Sequence, residues 1–253
     1  MGTDRDWERW GANDPYFGVI SNEAYRSGAM SADSRAQFFA SGKAHVAGTL
    51  AALRDLFGVE VAPCSVLDFG CGVGRLVIPF ARASGHVTGM DISPSMLAET
   101  RANCAAEGLS NVSLLQSTGD RLPELHASYD LIHSDIVLPH IAWARGRTII
   151  GALARHVTPG GFLALQMLTA CTAPRARRVL VKLRYLFPPA NWLRNLMRSR
   201  PMLEPAMQLH VYDLDAVKAD LAALGFAVKQ ADTTLPDFRS TVLYAQRAAS
   251  QGG

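Results

Sequence analysis

Val66-Leu67-Asp68-Phe69-Gly70-Cys71-Gly72-Val73-Gly74 is the stretch that decides the fold. A short apolar run ends in an acid, and three glycines follow at alternate positions. Glycine has no Cβ, so such a run can turn tightly and let a ligand approach the backbone. A second acid, Asp91, closes the next apolar run, His86-Val87-Thr88-Gly89-Met90. Two strand ends, a glycine turn and an acid for sugar hydroxyls describe a nucleoside site at the carboxyl edge of a parallel sheet.

The dinucleotide fingerprint G-x-G-x-x-G requires a glycine at position 75 when counted from Gly70, and Arg75 stands there. The pattern present is instead Asp-x-Gly-x-Gly-x-Gly. An acid ahead of the turn repels a pyrophosphate and suits a ligand that carries an ammonium group. This motif resembles the first motif of the class I S-adenosylmethionine-dependent methyltransferases. Asp91-Ile92-Ser93-Pro94-Ser95-Met96-Leu97 resembles their second motif. In it the acid accepts ribose hydroxyls and Ile92 lies against adenine. Ser93 is a good helix N-cap, and Pro94 fits the first helical turn, where its missing N–H costs nothing.

Three further segments follow in the family's order. Asn111-Val112-Ser113-Leu114-Leu115-Gln116 reads as a strand and leads into Thr118-Gly119-Asp120, where the acid stands two places later than the family often has it. Tyr129-Asp130-Leu131-Ile132-His133-Ser134 reads as a fourth strand, and Pro159-Gly160-Gly161 as a turn into a fifth. The resemblance covers about residues 64–167 and recurs weakly at 213–247. It implies S-adenosyl-L-methionine as the methyl donor. The residues it assigns to that cofactor are Asp68, Gly70, Cys71, Gly72, Gly74, Asp91, Ile92, Met96, Thr118, Gly119, Asp120 and Ser134.

Alternating strand and helix patterns imply βαβ units and a parallel sheet. Strands are expected at 64–69, 86–91, 112–116, 129–134 and 161–168. Helices are expected at 74–84, 94–107 and 144–157. A helix from Leu214 to Gly225 and strands at 226–232 and 240–247 complete the pattern. The expected fold class is α/β: a seven-stranded, mostly parallel sheet flanked by helices. The expected organisation is an N-terminal helical cap (1–60), a Rossmann-like core (61–170 and 205–248) and an inserted basic cap (171–204).

The chain has 253 residues, 49% of them hydrophobic, with a net charge of +3, enough for one large core with a cap. Its N-terminus, Met1-Gly2-Thr3-Asp4-Arg5-Asp6, has no apolar core of a signal peptide, and no apolar run is long enough to span a bilayer. Cys64, Cys71, Cys104 and Cys171 lack disulfide-framework or metal-ligand spacing and read as reduced thiols of a cytoplasmic protein. No metal site is expected.

Acceptor specificity is expected outside the shared core. Trp7, Trp10, Tyr16 and Phe17 precede a helix from about Ser31 to Phe57, which contains Phe38-Phe39-Ala40-Ser41-Gly42. These aromatics either pin the cap on the core or line the mouth of the pocket, with Tyr16 and Phe39 as the contacts. Asp135 follows the fourth strand. Gln208, His210 and Tyr212 alternate, so an extended segment would put all three on one face as an acceptor wall. If the acceptor is a hydroxyl, a base helps. His140 and His210 are the catalytic candidates, with His133 and Asp135 beside them.

Residues 172–203 hold eight basic residues and no acid: Arg175, Arg177, Arg178, Lys182, Arg184, Arg194, Arg198 and Arg200. Apolar residues recur among them at helical spacing. The segment reads as a solvated face, as a cover over the acceptor side, or as a helix that can lie on a membrane surface. Segment 134–139 lacks the Asn/Asp-Pro-Pro-aromatic pattern of amino-methylating enzymes of nucleic acids, so a nucleic-acid partner is not expected. The expected activity is methyl transfer to an O or N nucleophile of a small-molecule acceptor, which can be anionic, glycan or lipid-linked. The alternatives are an NAD(P)-dependent oxidoreductase and a catalytically silent adaptor that binds S-adenosylmethionine.

Overall fold

The structure is a computed structural model that describes residues 2–118, 122, 125 and 127–249. Seven strands form one sheet: β1 (Ser65–Phe69), β2 (His86–Asp91), β3 (Val112–Gln116), β4 (Tyr129–Ser134), β5 (Val157–Cys171), β6 (Phe226–Thr234) and β7 (Phe238–Arg247). Their order is β3-β2-β1-β4-β5-β7-β6. Pairing is parallel from β3 through β5, and β7 runs antiparallel to both β5 and β6.

The strand sequences follow from their places. Central β1 and β4 are covered on both faces, so their apolar runs are nearly continuous. Edge strand β6 has one wet face and alternates, with Phe226 buried and Ala227 exposed. The chain leaves β1 towards β2 on one side and returns through β4 on the other. That reversal opens a crevice beyond the carboxyl ends of β1 and β4.

Nine helices lie among the described residues: α1 (Gly2–Asn13), α2 (Pro15–Val19), α3 (Ala32–Phe57), α4 (Val77–Ala83), α5 (Pro94–Ala106), α6 (Trp143–Arg155), α7 (Arg175–Leu186), α8 (Pro188–Met197) and α9 (Leu214–Ala223). Successive side chains of a strand point to opposite faces. In β1, Val66 packs with α3 and α4 through Val46, Leu53 and Phe80, whereas Leu67 packs with α6 and α9 through Leu153 and Leu221. These side chains are buried, and truncating a fully buried Leu to Ala costs about 2–5 kcal/mol. A third cluster, with Trp10, Phe17, Phe38, Val73 and Met96, seats the N-terminal helices on the first glycine turn and α5.

Local capping agrees with the sequence. The Ser31 side chain accepts from Ser34 N–H at the start of α3, Ser93 from Met96 N–H at the start of α5, and Asp213 from Ala216 N–H at the start of α9. Two expectations fail. The helix expected to reach residue 157 ends at Arg155, and β5 already begins at Val157. Pro159-Gly160-Gly161 is therefore a bulge inside β5: Tyr129 pairs with Val157, and Leu131 next pairs with Phe162. Residues 207–210 are not a strand; Val211 alone bridges Leu168.

Candidate functional site

A cavity of about 940 Å³, its open mouth included, lies at the crevice. Its floor comes from the strand ends: Phe69 and Gly70 at the end of β1, Met90, Asp91 and Ile92 at the end of β2, Ser117 after β3, and Asp135, Ile136 and Val137 after β4. α1 and α2 close it from above with Asp4, Trp7, Gly18 and Val19. Met96, Leu122, His140, Ile141, Arg145 and Ile149 complete much of the rest.

Asp91 is the centre of the polar end. It is buried, and its Oδ2 accepts from Gly72 N–H at 2.9 Å while its Oδ1 accepts from Ser93 N–H at 2.9 Å. A carboxylate has about four lone-pair sites, so both oxygens keep capacity for further donors on the cavity side. Burial raises the Asp91 pKa above its ordinary value against the lowering effect of these backbone bonds. A buried charge with unused acceptor capacity is a site that a diol relieves.

The glycine turn is held by its surroundings. Gly70 and Cys71 donate to the Met90 carbonyl, and Thr100 Oγ1 donates to Gly72 O at 2.6 Å. Gly70 and Gly72 have φ of +80° and +53°, the left-handed region that favours glycine. A Cβ at Gly72 would lie 2.5 Å from Val19 Cγ2, and one at Gly70 would lie 2.2 Å from Val137 Cγ2. The space beside each glycine is thus taken by a valine of the cavity wall.

The N-terminal cover is attached by polar contacts. Glu8 accepts from Ser93 Oγ at 2.7 Å and from Ser95 Oγ at 2.6 Å, and Arg145 reaches Asp4 at 2.9 Å. A Cβ at Gly11 would meet Ser93 Oγ at 2.3 Å, so α1 lies against the start of α5 because residue 11 is glycine.

His140 faces the apolar end. Its Nδ1 lies 2.7 Å from the Gln208 carbonyl and so must carry the proton there, which leaves the Nε2 lone pair available. Its ring packs edge-on against Trp7, with centroids 4.9 Å apart. Burial pushes its pKa below the ordinary histidine value, so the neutral ring is the form at physiological pH. Beside it, Ile136 holds φ at +60°, a strained conformation for a β-branched residue. Its N–H donates to Gln166 Oε1 at 3.1 Å.

A polar chain runs beneath this floor. Asp68 Oδ1 is 3.0 Å from His133 Nδ1, and His133 Nε2 is 3.0 Å from His45 Nε2. His45 Nδ1 is 3.7 Å from Asp135 Oδ2, which also accepts from Arg75 Nη2 at 2.8 Å. Of these five residues, Asp135 and Arg75 line the cavity.

The expected cofactor residues divide accordingly. Gly70, Gly72, Asp91, Ile92 and Met96 line the cavity. Asp68 does not, because its carboxylate is turned onto His133. Cys71 is buried in the core cluster under α4, and burial raises its thiol pKa well above the ordinary value. Gly74 packs towards Thr100, and the Ser134 hydroxyl donates to Phe69 O at 3.0 Å. Thr118 is exposed and off the wall, where Ser117 stands instead. Gly119 and Asp120 lie outside the described residues.

On the acceptor side Asp135 is on the wall, but the other expectations are corrected. Tyr16 donates to Glu99 Oε1 at 2.6 Å and receives Arg35, which fixes α2 on α5; burial first, and Glu99 second, push its pKa up to about 12. Phe39 packs against Phe38 and Tyr16 under the Arg35 guanidinium. Gly42 is there because Arg75 O lies where its Cβ would be. Tyr212 is buried, and its hydroxyl donates to the Ile141 carbonyl at 2.9 Å. Gln208 acts through its carbonyl on His140. His210 is off the cavity wall, and its N–H donates to the Pro139 carbonyl. His210 is therefore withdrawn as a catalytic candidate, and so is His133, which is buried against Asp68. Residues 172–203 line no part of this cavity. The wall residues missed in the sequence, such as Asp4, Trp7, Val19, Ile136 and Arg145, come from elements whose approach no local pattern announces.

Residues 66–161 match the family model of the methyltransferase domain. The chain is 36% identical over 103 residues to the ribosomal protein L11 methyltransferase of Dechloromonas aromatica, covering 40% of this chain and 31% of that protein. It is 32% identical over 122 residues to the ubiquinone biosynthesis O-methyltransferase of Xanthomonas euvesicatoria pv. vesicatoria, covering 48% and 50%. The chain thus spans half or less of the length of these curated relatives. Among solved structures, the magnesium protoporphyrin IX methyltransferase of Synechocystis PCC 6803 with bound S-adenosylhomocysteine superposes with a TM-score of 0.60 at 22% identity, covering 95% of this chain and 98% of that one. The N-methyltransferase NodS of Bradyrhizobium japonicum gives 0.57 at 17% identity, covering 98% and 99%. These likenesses establish the class I methyltransferase fold.

Proposed function

We propose that this chain, whose residues 66–161 match the methyltransferase domain model, transfers a methyl group from S-adenosylmethionine to an O or N nucleophile of a small, largely apolar acceptor. The observation that carries the reading is Asp91: a buried carboxylate with spare acceptor capacity, beside the Gly70–Gly72 turn, on the wall of a cavity at the strand ends.

The residues fit the cofactor. Asp91 would take the ribose hydroxyls, with Ile92 and Met96 beside the base, and Gly70 and Gly72 would let the rest of the molecule pass the turn. When bound, S-adenosylmethionine supplies an electrophilic methyl on its sulfonium. The chain's own task is alignment and the exclusion of water. Trp7, Ile136, Val137, Ile141 and Ile149 make an apolar wall for the acceptor. His140 offers its Nε2 lone pair to an acceptor hydroxyl, and the Gln208 carbonyl holds the ring in that tautomer. This favours a hydroxyl acceptor. Asp135, fixed by Arg75, presents a carboxylate oxygen to a donor group on the acceptor or cofactor.

Calorimetry with S-adenosylhomocysteine and with NAD tests the cofactor reading, which requires binding of the first and none of the second. A mass-spectrometric screen for a 14-dalton gain on hydroxylated and amino acceptors tests transfer. A chain that binds S-adenosylhomocysteine and methylates none of them would be the silent adaptor.

A further inference from the structure

The cap between β5 and α9 has an unusual surface. α7 contains no buried residue at all. Val179, Leu180, Leu183 and Leu186 form one face of it, at the spacing of a helix stripe; Phe187 follows at its end, and α8 continues with Trp192, Leu193, Leu196 and Met197. Leu186 is 72% exposed and Met197 79%. Eleven of the sixteen exposed large apolar side chains among the described residues fall between 179 and 203. Scattered exposed apolar residues are ordinary, whereas a contiguous set marks a binding surface.

The other face of α8 is tied to the segment that follows it, and the Glu204 carboxylate of that segment pairs with Arg26 of the body. Asn191 and Asn195 are buried and donate to the Glu204 carbonyl, Asn195 also to Met202 O. Tyr185 Oη donates to Met207 O. The apolar stripe is therefore not a core face left open by a missing neighbour within the fold; the polar face is the one the fold uses.

Charge identifies the occupant. Arg177 is paired with Asp237, and Arg200 with Glu23 and Glu204. Arg184 binds Asn191. Arg175, Arg178, Lys182, Arg194 and Arg198 form no ion pair among the described residues, and Arg194 feels Glu204 only at a distance. Between α7 and α8 lies a groove of about 760 Å³, with Arg177, Arg184, Arg194 and Arg198 around Leu180 and Leu183. Burial and the positive charge of neighbouring arginines push the pKa of Arg194 down, against the weaker attraction of Glu204. A second copy of the chain is a poor partner, because its matching face carries the same cations and residues 172–203 hold no acid to pair with them.

We propose that α7 and α8 form an interfacial anchor for an anionic phospholipid bilayer. The Leu186, Leu193, Leu196 and Met197 side chains enter the acyl boundary, and Arg178, Arg194 and Arg198 take headgroup phosphates. Such helices lie in the interface plane. No helix among the described residues is long and apolar enough to cross a membrane, which agrees with an anchor that rests on the surface.

The test is sedimentation of the full chain with vesicles of phosphatidylserine and phosphatidylcholine, against vesicles of phosphatidylcholine alone, at low and high salt. Each basic residue near an anionic surface contributes about fivefold in affinity, so the combined R178E, R194E and R198E variant should bind at least about tenfold more weakly. Wild-type binding should weaken with salt. The combined L193S, L196S and M197S variant should keep a weak, salt-sensitive attachment and lose the blue shift of Trp192 fluorescence. All six positions are exposed or half-buried, and unchanged thermal melting will verify that both variants fold. No binding to phosphatidylserine vesicles at low salt overturns the proposal, as does equal binding to neutral vesicles. Complete displacement by inorganic phosphate at matched concentration would make the groove a soluble-anion site. Concentration-dependent dimerisation abolished by L193S, L196S and M197S would make the face an interface between copies. Each of these last two outcomes also overturns the anchor.

Discussion

Replacing Asp91 by Asn is the most informative perturbation of the site, because it separates binding from folding. The side chain keeps its shape but exchanges one acceptor oxygen for an NH2 group. A hydrogen bond to a charged group is worth about 1.5–3 kcal/mol net, and tenfold in affinity corresponds to about 1.4 kcal/mol. Loss of one ribose hydroxyl bond to the carboxylate should weaken S-adenosylhomocysteine binding about 10- to 150-fold. Stability follows a different rule. Burial raises the Asp91 pKa, so the folded state prefers the neutral carboxyl. The stability from that preference is present below the unfolded value of 3.8 and is lost as pH rises through the raised folded value. At neutral pH the ionised group therefore opposes folding of the free protein. Asn removes that charge but loses one of the two backbone bonds, to Gly72 or Ser93, and the two effects oppose each other. Asp91→Ala removes the same charge but keeps neither bond: it strands both N–H groups at about 1–3 kcal/mol each, a loss of about 2–6 kcal/mol that relief of the buried charge offsets only in part, so it should be less stable than Asp91→Asn. Titration calorimetry with S-adenosylhomocysteine gives the affinity, and thermal melting of the free protein gives the stability. Folded Asp91→Asn protein that binds within about threefold of wild type would refute the argument. Asp91 would then be a strut for the turn.

Gly72→Ala should reduce S-adenosylhomocysteine affinity at least about tenfold, since a left-handed residue with a Cβ costs about 1–2 kcal/mol and Val19 Cγ2 lies 2.5 Å from the new atom. Adding Val19→Ala should recover part of the loss, and a Gly72→Ala variant with wild-type affinity would dispose of the steric account. His140→Asn retains a donor for the Gln208 carbonyl and removes the Nε2 base. With a hydroxyl acceptor, kcat should fall about 10²- to 10⁴-fold while S-adenosylhomocysteine affinity holds. Because the His140 pKa is lowered, the neutral base persists below the ordinary value of about 6.5. The acid limb of kcat/KM should thus lie below that value in the wild type and vanish in His140→Asn; an unchanged profile would show that no proton passes through this ring.

The sheet and the cofactor end of the site were legible because their determinants are local. Continuous apolar runs mark strands covered on both faces, Ser93 and Pro94 mark a helix start, and Gly70 and Gly72 mark backbone that must adopt positive φ. Asp91 could be placed on the cavity because its position at the end of β2 fixes where its side chain points. Asp68 shows the limit of the same reasoning: it occupies the expected motif position, yet His133, 65 residues away, captures its carboxylate. Tyr16, Phe39, Gln208 and Tyr212 were placed on a functional face by composition and alternation, whereas packing turned them into struts. Their neighbours Glu99, Arg35, His140 and Ile141 come from remote segments, and no spacing rule encodes which remote segment arrives. His140 was an uncertain base by sequence; the Gln208 carbonyl, 68 residues away, sets its tautomer. The sequence alone determined most of the elements, the sheet and the acid at the end of β2, since these follow from backbone preference and burial period within a few residues. The tertiary structure alone decided which polar side chains face the cavity, because hydrogen-bond partners and desolvation are properties of a site assembled from distant parts of the chain.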